Sequence, residues 1–252
     1  MFESVCCPSL VAKKLPRLVL LLLLMGMTGI ATAGKPDKIT EAEMKLIPAY
    51  CPDTMGFKYG GAYSDTSPRA AYWVSLMGKS FWAMHHYCWG QINLTRARRA
   101  GLPPQVRQAM LESVLGDFEF VTNSAPQDFI MLPEIYTRVG EVNLLLSHPN
   151  QANEAFATAR GLKADYWPAY SLWAGFLMNS GHRPEALKLV TVGLEHSPNA
   201  KVLLQLYRDL GGKPSGIPKP IEKPEVATPT AAEDAAAMSN SPPPTDAKGA
   251  EK

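Results

Sequence analysis

Two stretches of the chain repeat one another at an offset of 34 residues. Setting 136–164 beside 170–198 pairs Tyr136 with Tyr170, Val139 with Trp173, Gly140 with Ala174, Ala152 with Ala186, Phe156 with Val190 and Ala159 with Gly193. Bulk recurs at one set of positions, and alanine or glycine recurs at another. Helical hairpins need this arrangement: small residues let two helix backbones approach, and large ones fill the space opposite. A single hairpin leaves its apolar face in water, so the units must stack. The expected fold class is all-α.

The second copy, "DYWPAYSLWAGFLMNSGHRPEALKLVTVGLEHSPNA", has a bulky residue at Tyr170, a large-then-small pair at Trp173-Ala174 and a turn glycine at Gly181. Glu185-Ala186, a small residue at Gly193 and a closing Pro198-Asn199 follow. This unit resembles the tetratricopeptide repeat (TPR) family. The resemblance implies a short solenoid of TPR-like hairpins over 67–212, closed by a capping helix Leu203–Leu210 that stops at Gly211-Gly212. Upstream the pattern degrades. One long helix is expected from Tyr72 to Arg99, started by Ser67-Pro68 and ended by Gly101 with Pro103-Pro104. A second, over 105–123, carries Phe118 and Val121, and the register then slips across "DFIM".

The ends read differently. Lys13, Lys14 and Arg17 precede an apolar run, Leu18 to Ile30, and Ala31-Thr32-Ala33 has the small-x-small pattern of a cleavage site. That order is the secretory signal-peptide pattern over 1–33, with a mature chain starting at Gly34. The apolar run is shorter than the roughly 20 residues that span a bilayer, so no stable membrane insertion is expected after cleavage. The localisation is periplasmic or secreted; the alternative is an inner-membrane anchor by an uncleaved signal. Residues 34–66 show little periodicity beyond a short helix near Glu41 to Leu46. From 213 to 252 proline, alanine and lysine dominate, aromatics are absent, and a disordered tail is expected.

Removing the leader takes Glu3, Lys13, Lys14 and Arg17 with it, so 25 basic and 23 acidic residues become 22 of each. A neutral chain has no electrostatic reason to bind nucleic acid. Two cysteines remain, Cys51 and Cys88, and in an oxidising compartment they are expected to form a disulfide. Free thiols are the alternative.

"FWAMHHYCWG", residues 81–90, joins two histidines and a cysteine to four aromatics. Phe81, Met84, Cys88 and Ile92 share one helical stripe; Trp82, His85 and Trp89 share another. A helix apolar nearly all round is buried on several sides, so the histidines read as hydrogen-bonded core. His86 falls in a packing slot of the repeat pattern and Gly90 in a close-approach slot. A metal- or haem-handling role for His85, His86 and Cys88 is the alternative. Adjacent helical side chains point about 100° apart, no CxxC, HxxxH or CxxCH motif is present, and a closed zinc site wants four ligands. No cofactor is expected.

No catalytic set emerges: the chain lacks a Gly-x-Ser-x-Gly elbow and a phosphate-cradling glycine loop. "YGGAY" at Gly60-Gly61 reads as a turn. Glu112, Asp117 and Glu119 read as a solvated helix face, and Arg96, Arg98 and Arg99 as charges complementing a helix C-terminus. "NLT" at Asn93 is a sequon placed mid-helix. The expectation is therefore a non-enzymatic scaffold or adaptor of the bacterial envelope that binds another protein or peptide; an accessory subunit of an envelope enzyme or secretion machine is a further alternative. By resemblance, the first helices of the hairpins line a concave face. Its non-packing positions are Tyr87 and Gln91, then Glu134, Thr137, Arg138 and Glu141, then Ser171, Gly175, Asn179 and His182.

Overall fold

The computed structural model describes residues 34–57, 67–219 and 221. Every regular element among them is helical. The expected leader, the turn expected at "YGGAY" and the tail from 222 onward lie outside the described residues. In chain order the helices are α1 (Glu41–Met44), α2 (Ala70–Met77), α3 (Met84–Ala97), α4 (Pro104–Ser124), α5 (Leu132–Leu145), α6 (Pro149–Leu162), α7 (Trp167–Asn179), α8 (Arg183–His196) and α9 (Lys201–Asp209).

Consecutive helices pack on one another: α3 with α4, α5 with α6, α7 with α8, and α9 against both α7 and α8. The fold is helical-repeat-like, and α8 begins and ends 34 residues after α6. Proline occupies the first turn of α4 through α8, where it needs no backbone donor and its φ is already helical. Both hairpin turns close alike. The His148 N–H donates to Asn143 O at 2.8 Å, and the His182 N–H donates to Leu177 O at 2.8 Å. These are the same bond one repeat apart, the Schellman closure that satisfies a helix's last carbonyls.

The small residues sit where close approach demands them. A Cβ on Gly140 would come within 2.9 Å of the Phe156 ring, and one on Gly193 within 2.9 Å of Leu203 and 3.0 Å of Tyr170. Gly90 of α3 faces Phe118 of α4 still more tightly. Ala152, Ala159, Ala174 and Ala186 have no exposed surface. Phe81, Met84, Tyr87, Phe118 and Ile135 fill the larger N-terminal core, and Tyr170, Val190, Leu194 and Leu203 fill the C-terminal one.

Four expectations are corrected. The long helix from Tyr72 to Arg99 is broken: Gly78 takes φ 62°, and a 3-10 stretch, Gly78–Ala83, separates α2 from α3. Ser67 does not cap α2. Its hydroxyl donates to Asp53 at 2.7 Å, and Asp53 also accepts from Trp73 Nε1 at 2.7 Å and pairs with Arg69 at 2.9 Å. Asp117 is fully buried, not part of a solvated face. The segment from 213 is ordered at its start: a 3-10 turn at Pro214–Gly216 reaches Tyr207, and the Ile221 N–H donates to Glu195 O at 3.0 Å.

Residues 34–57 also fold onto α3. Thr40 caps α1 in a reciprocal capping box with Glu43. Glu43 is 5% exposed and takes Arg96 at 2.8 Å and Arg99 at 2.9 Å. Arg96 also donates to Asp37 O at 3.0 Å. The arginine cluster thus straps the N-terminal segment down, beyond complementing a helix dipole. The Cys51–Cys88 disulfide completes the attachment, with Cα atoms 5.7 Å apart.

Candidate functional site

Six of the residues expected to meet a partner lie on α3 and α5, and five of these, Tyr87, Gln91, Glu134, Arg138 and Glu141, bond to one another. Tyr87 OH donates to Glu134 Oε1 at 2.5 Å and accepts from Gln91 Nε2 at 2.5 Å. Arg138 Nη1 donates to Glu141 at 3.0 Å, and Arg98 forms a close ion pair with the other Glu141 oxygen. One hydrogen-bonded network therefore joins α3 to α5. Helical spacing creates it, because Glu134, Arg138 and Glu141 lie three or four residues apart on one side of α5.

Burial shapes the electrostatics. Tyr87 has no exposed surface, and desolvation, followed by the Glu134 charge, pushes its pKa well above the ordinary phenol value. Tyr50 behaves alike for the same two reasons. It lies close enough to feel Glu134, and it comes from the segment that the disulfide pins to α3. Burial opposes the charge on Arg138, but Tyr87 and Glu141 more than compensate and hold its pKa above the usual guanidinium value. Tyr166, from the loop before α7, is pushed up to about 12 by burial and by Glu134.

The expected positions therefore divide. Tyr87, Thr137 and Ser171 are buried, which corrects their placement on an open surface. Thr137 donates to Pro133 O at 2.8 Å and Ser171 to Pro168 O at 3.1 Å, so each hydroxyl is satisfied by its own helix. Gln91, Glu134 and Glu141 are half-buried, and Arg138 keeps 34% of its side-chain surface. Asn179 and His182 are exposed, with His182 4.0 Å from Glu185. A Cβ at Gly175 would meet nothing within 4 Å, so α7 faces open space there. Sequence reasoning missed Tyr50, Tyr166 and the pairing of Arg98. No local pattern announces them, because each depends on which segments pack together.

A separate cleft lies elsewhere. It encloses about 580 Å³ between α4 and α6 over α5, lined by Glu119, Asn123, Asn143, His148, Glu154 and Thr158 among others, and includes none of the expected partner positions. It is open, its lining mixes apolar side chains such as Leu115 and Val139 with polar ones, and its two carboxylates, Glu119 and Glu154, have no partner group there from which a specific chemistry follows.

The histidine pair is built into the core. His85 is 9% exposed, its Nδ1 lies 2.6 Å from Trp82 O, and burial lowers its pKa to about 4. His86 Nδ1 lies 2.8 Å from Asp117 Oδ1, and its ring packs on Trp89 and Phe120. The Cys88 sulfur is bonded to Cys51, which removes the thiolate a metal site would need. Among the described residues no group of three His, Cys, Asp or Glu side chains is placed to hold a metal ion, and no helix is long and apolar enough to cross a membrane.

No protein-family model matches the chain, and no curated protein matches it.

Proposed function

We infer that this protein is an exported TPR-like scaffold that acts by holding an extended segment of another protein. The recurrence of the α5–α6 hairpin in α7–α8, at 34 residues and with the same turn closure, carries this reading. Such hairpins stack into a curved solenoid whose first helices share one face. The buried disulfide suits an oxidising compartment, which supports export. On this reading the protein performs no bond-making chemistry, and any enzyme it serves is its partner.

The network of Tyr87, Glu134, Arg138 and Glu141 makes one end of the groove rigid. The open part runs from Arg138 and Glu141 toward Gly175 and Asn179. A bound segment there meets a partly exposed guanidinium, a carboxylate and an uncluttered stretch of α7, which favours a polar, backbone-gripping contact over an apolar plug.

Photo-reactive residues at Gly175 and Asn179, compared with one at Thr158 in the opposite cleft, test the reading in intact cells. Discrete adducts from the first two and none from the third are the expected result. Adducts from Thr158 alone overturn the choice of face, and turnover of a small molecule by the purified chain overturns the non-enzymatic reading.

A further inference from the structure

Asp117 is the buried charge that the binding face does not use. It lies on α4 with no exposed surface. One oxygen, Oδ1, is 2.8 Å from His86 Nδ1. The other, Oδ2, has no hydrogen-bond partner. A half-satisfied carboxylate in the core is costly, and such groups call for an explanation in an ion, a water or a missing donor.

The nearest unexplained polar feature is the start of the described chain. Gly34 is half-buried, and its carbonyl accepts from Asn93 Nδ2 of α3 at 2.9 Å. Its backbone N–H lies near the Asp117 carboxylate and pulls that carboxyl's pKa down. Both backbone polar groups of one residue are thus held in the crevice between α3 and α4, beside an oxygen that lacks a donor. Gly34 is also the residue that the small-x-small pattern at Ala31-Thr32-Ala33 makes the first of the mature chain.

We propose that Asp117 is the receptor for the α-ammonium group of Gly34, created when a signal protease hydrolyses the Ala33–Gly34 bond. Water adds across that bond: Ala33 leaves with a carboxylate, and Gly34 gains a protonated amine. One neutral N–H donor becomes three donors and a positive charge, at a place where one carboxylate oxygen stands unpaired. Only the acceptor carries a charge before cleavage; afterwards donor and acceptor are oppositely charged, which offsets more of the cost of burying the carboxylate. Before cleavage the carboxylate is incompletely paired; after cleavage the N-terminus locks into the α3–α4 hairpin. Removal of the leader then tightens the N-terminal unit, to which Glu43, Arg96 and the disulfide already tie the same segment. Burial pushes the Asp117 carboxyl above its usual range, with His86 and the Gly34 amide pulling it back, and a cation here would pull it further.

The proposal rests on the export reading, and two measurements separate them. The N-terminus of protein recovered from exporting cells tests the cleavage site. Any start other than Gly34 overturns the proposal, whereas a chain retained uncleaved in the cytosol overturns export itself. The receptor is tested on purified chains starting at Gly34 or retaining Ala33, by the rate at which trinitrobenzenesulfonate labels the α-amine near pH 8.

An opposite charge raises an amine's pKa by about one unit or more, so near pH 8 native Gly34 should label at least about fivefold more slowly than the urea-unfolded chain. The amine of the Ala33 chain, displaced by about 3.8 Å, should lose that protection without any substitution in the core. Asp117→Asn should lose it too, if that variant folds. Equal native labelling of the two chains overturns the receptor.

Discussion

Ser147 and Gly181 occupy the same place in successive hairpins, and both have left-handed backbones, with φ of 63° and 85°. Each follows a first helix, and each precedes the residue whose N–H returns to close that helix. Glycine adopts this conformation freely. A residue with a Cβ pays about 1 kcal/mol for it.

Ser147→Gly is therefore expected to stabilise the chain by about 0.5–1 kcal/mol, since relief of the left-handed strain outweighs glycine's extra unfolded-state entropy. Gly181→Ser should cost a similar amount. Urea unfolding of the two variants checks both signs; a destabilised Ser147→Gly chain would mean that the Ser147 side chain contributes something the turn geometry does not require.

Two glycine-to-alanine changes should move stability in opposite directions. At Gly140 the new methyl would overlap Phe156 at 2.9 Å, and overpacking of this kind costs about 1–3 kcal/mol. At Gly175, inside α7, it meets nothing within 4 Å, and alanine's helix propensity should add about 0.5–1 kcal/mol. Thermal unfolding of both variants against the parent reads the contrast directly.

The Cys51–Cys88 bridge joins residues 37 apart, and on the chain-entropy model such a loop contributes about 3–4 kcal/mol. A denatured, unreduced chain starting at Gly34 should show no free thiol in a colorimetric count. The Cys51→Ser, Cys88→Ser double variant should unfold at correspondingly lower urea and loosen the segment that the bridge ties to α3, seen as faster amide exchange near Tyr50.

Acid should weaken the fold in two stages. Burial holds His85 down to about 4, against a carbonyl contact from Trp82 that favours its charge and with the His86 charge opposing it. The unfolded chain, with histidine near 6.5, therefore takes up its proton first, and the stability His85 confers is lost as pH falls from about 6.5 toward 4. Glu43, held far below the usual carboxylate range by Arg96, adds stability above about 4.3 that is lost on further acidification. Asp117 has the opposite sign: burial raises its carboxyl, so its protonation softens the loss. Urea midpoints from pH 7 to 3 should fall throughout, with a shallower slope between 6.5 and 4 in His85→Phe.

Most of the helical framework was legible along the chain. The 34-residue recurrence and the glycines at Gly101, Gly181 and Gly211 are local signals, because helix periodicity and turn chemistry act over a few residues. The close-approach positions Gly90, Gly140 and Gly193 followed from the repeat alone. So did the reading of "HHYC" as core, since a helix apolar on all sides has to be covered.

The accessible surface could not be read that way. Tyr87 occupies a position that would be open in an isolated hairpin, and it is buried where its ring meets Phe118 of α4 and its hydroxyl meets Glu134 of α5. Asp117 resembled a solvated carboxylate on an amphipathic helix, yet His86 and Gly34 approach it from distant parts of the chain. Arg96 and Glu43 pair across 53 residues. Spacing along a helix sets which side chains share a face, but whether that face meets water depends on which remote segment lands there. Only the folded chain, through the summed burial and charge of all its contacts, decides that.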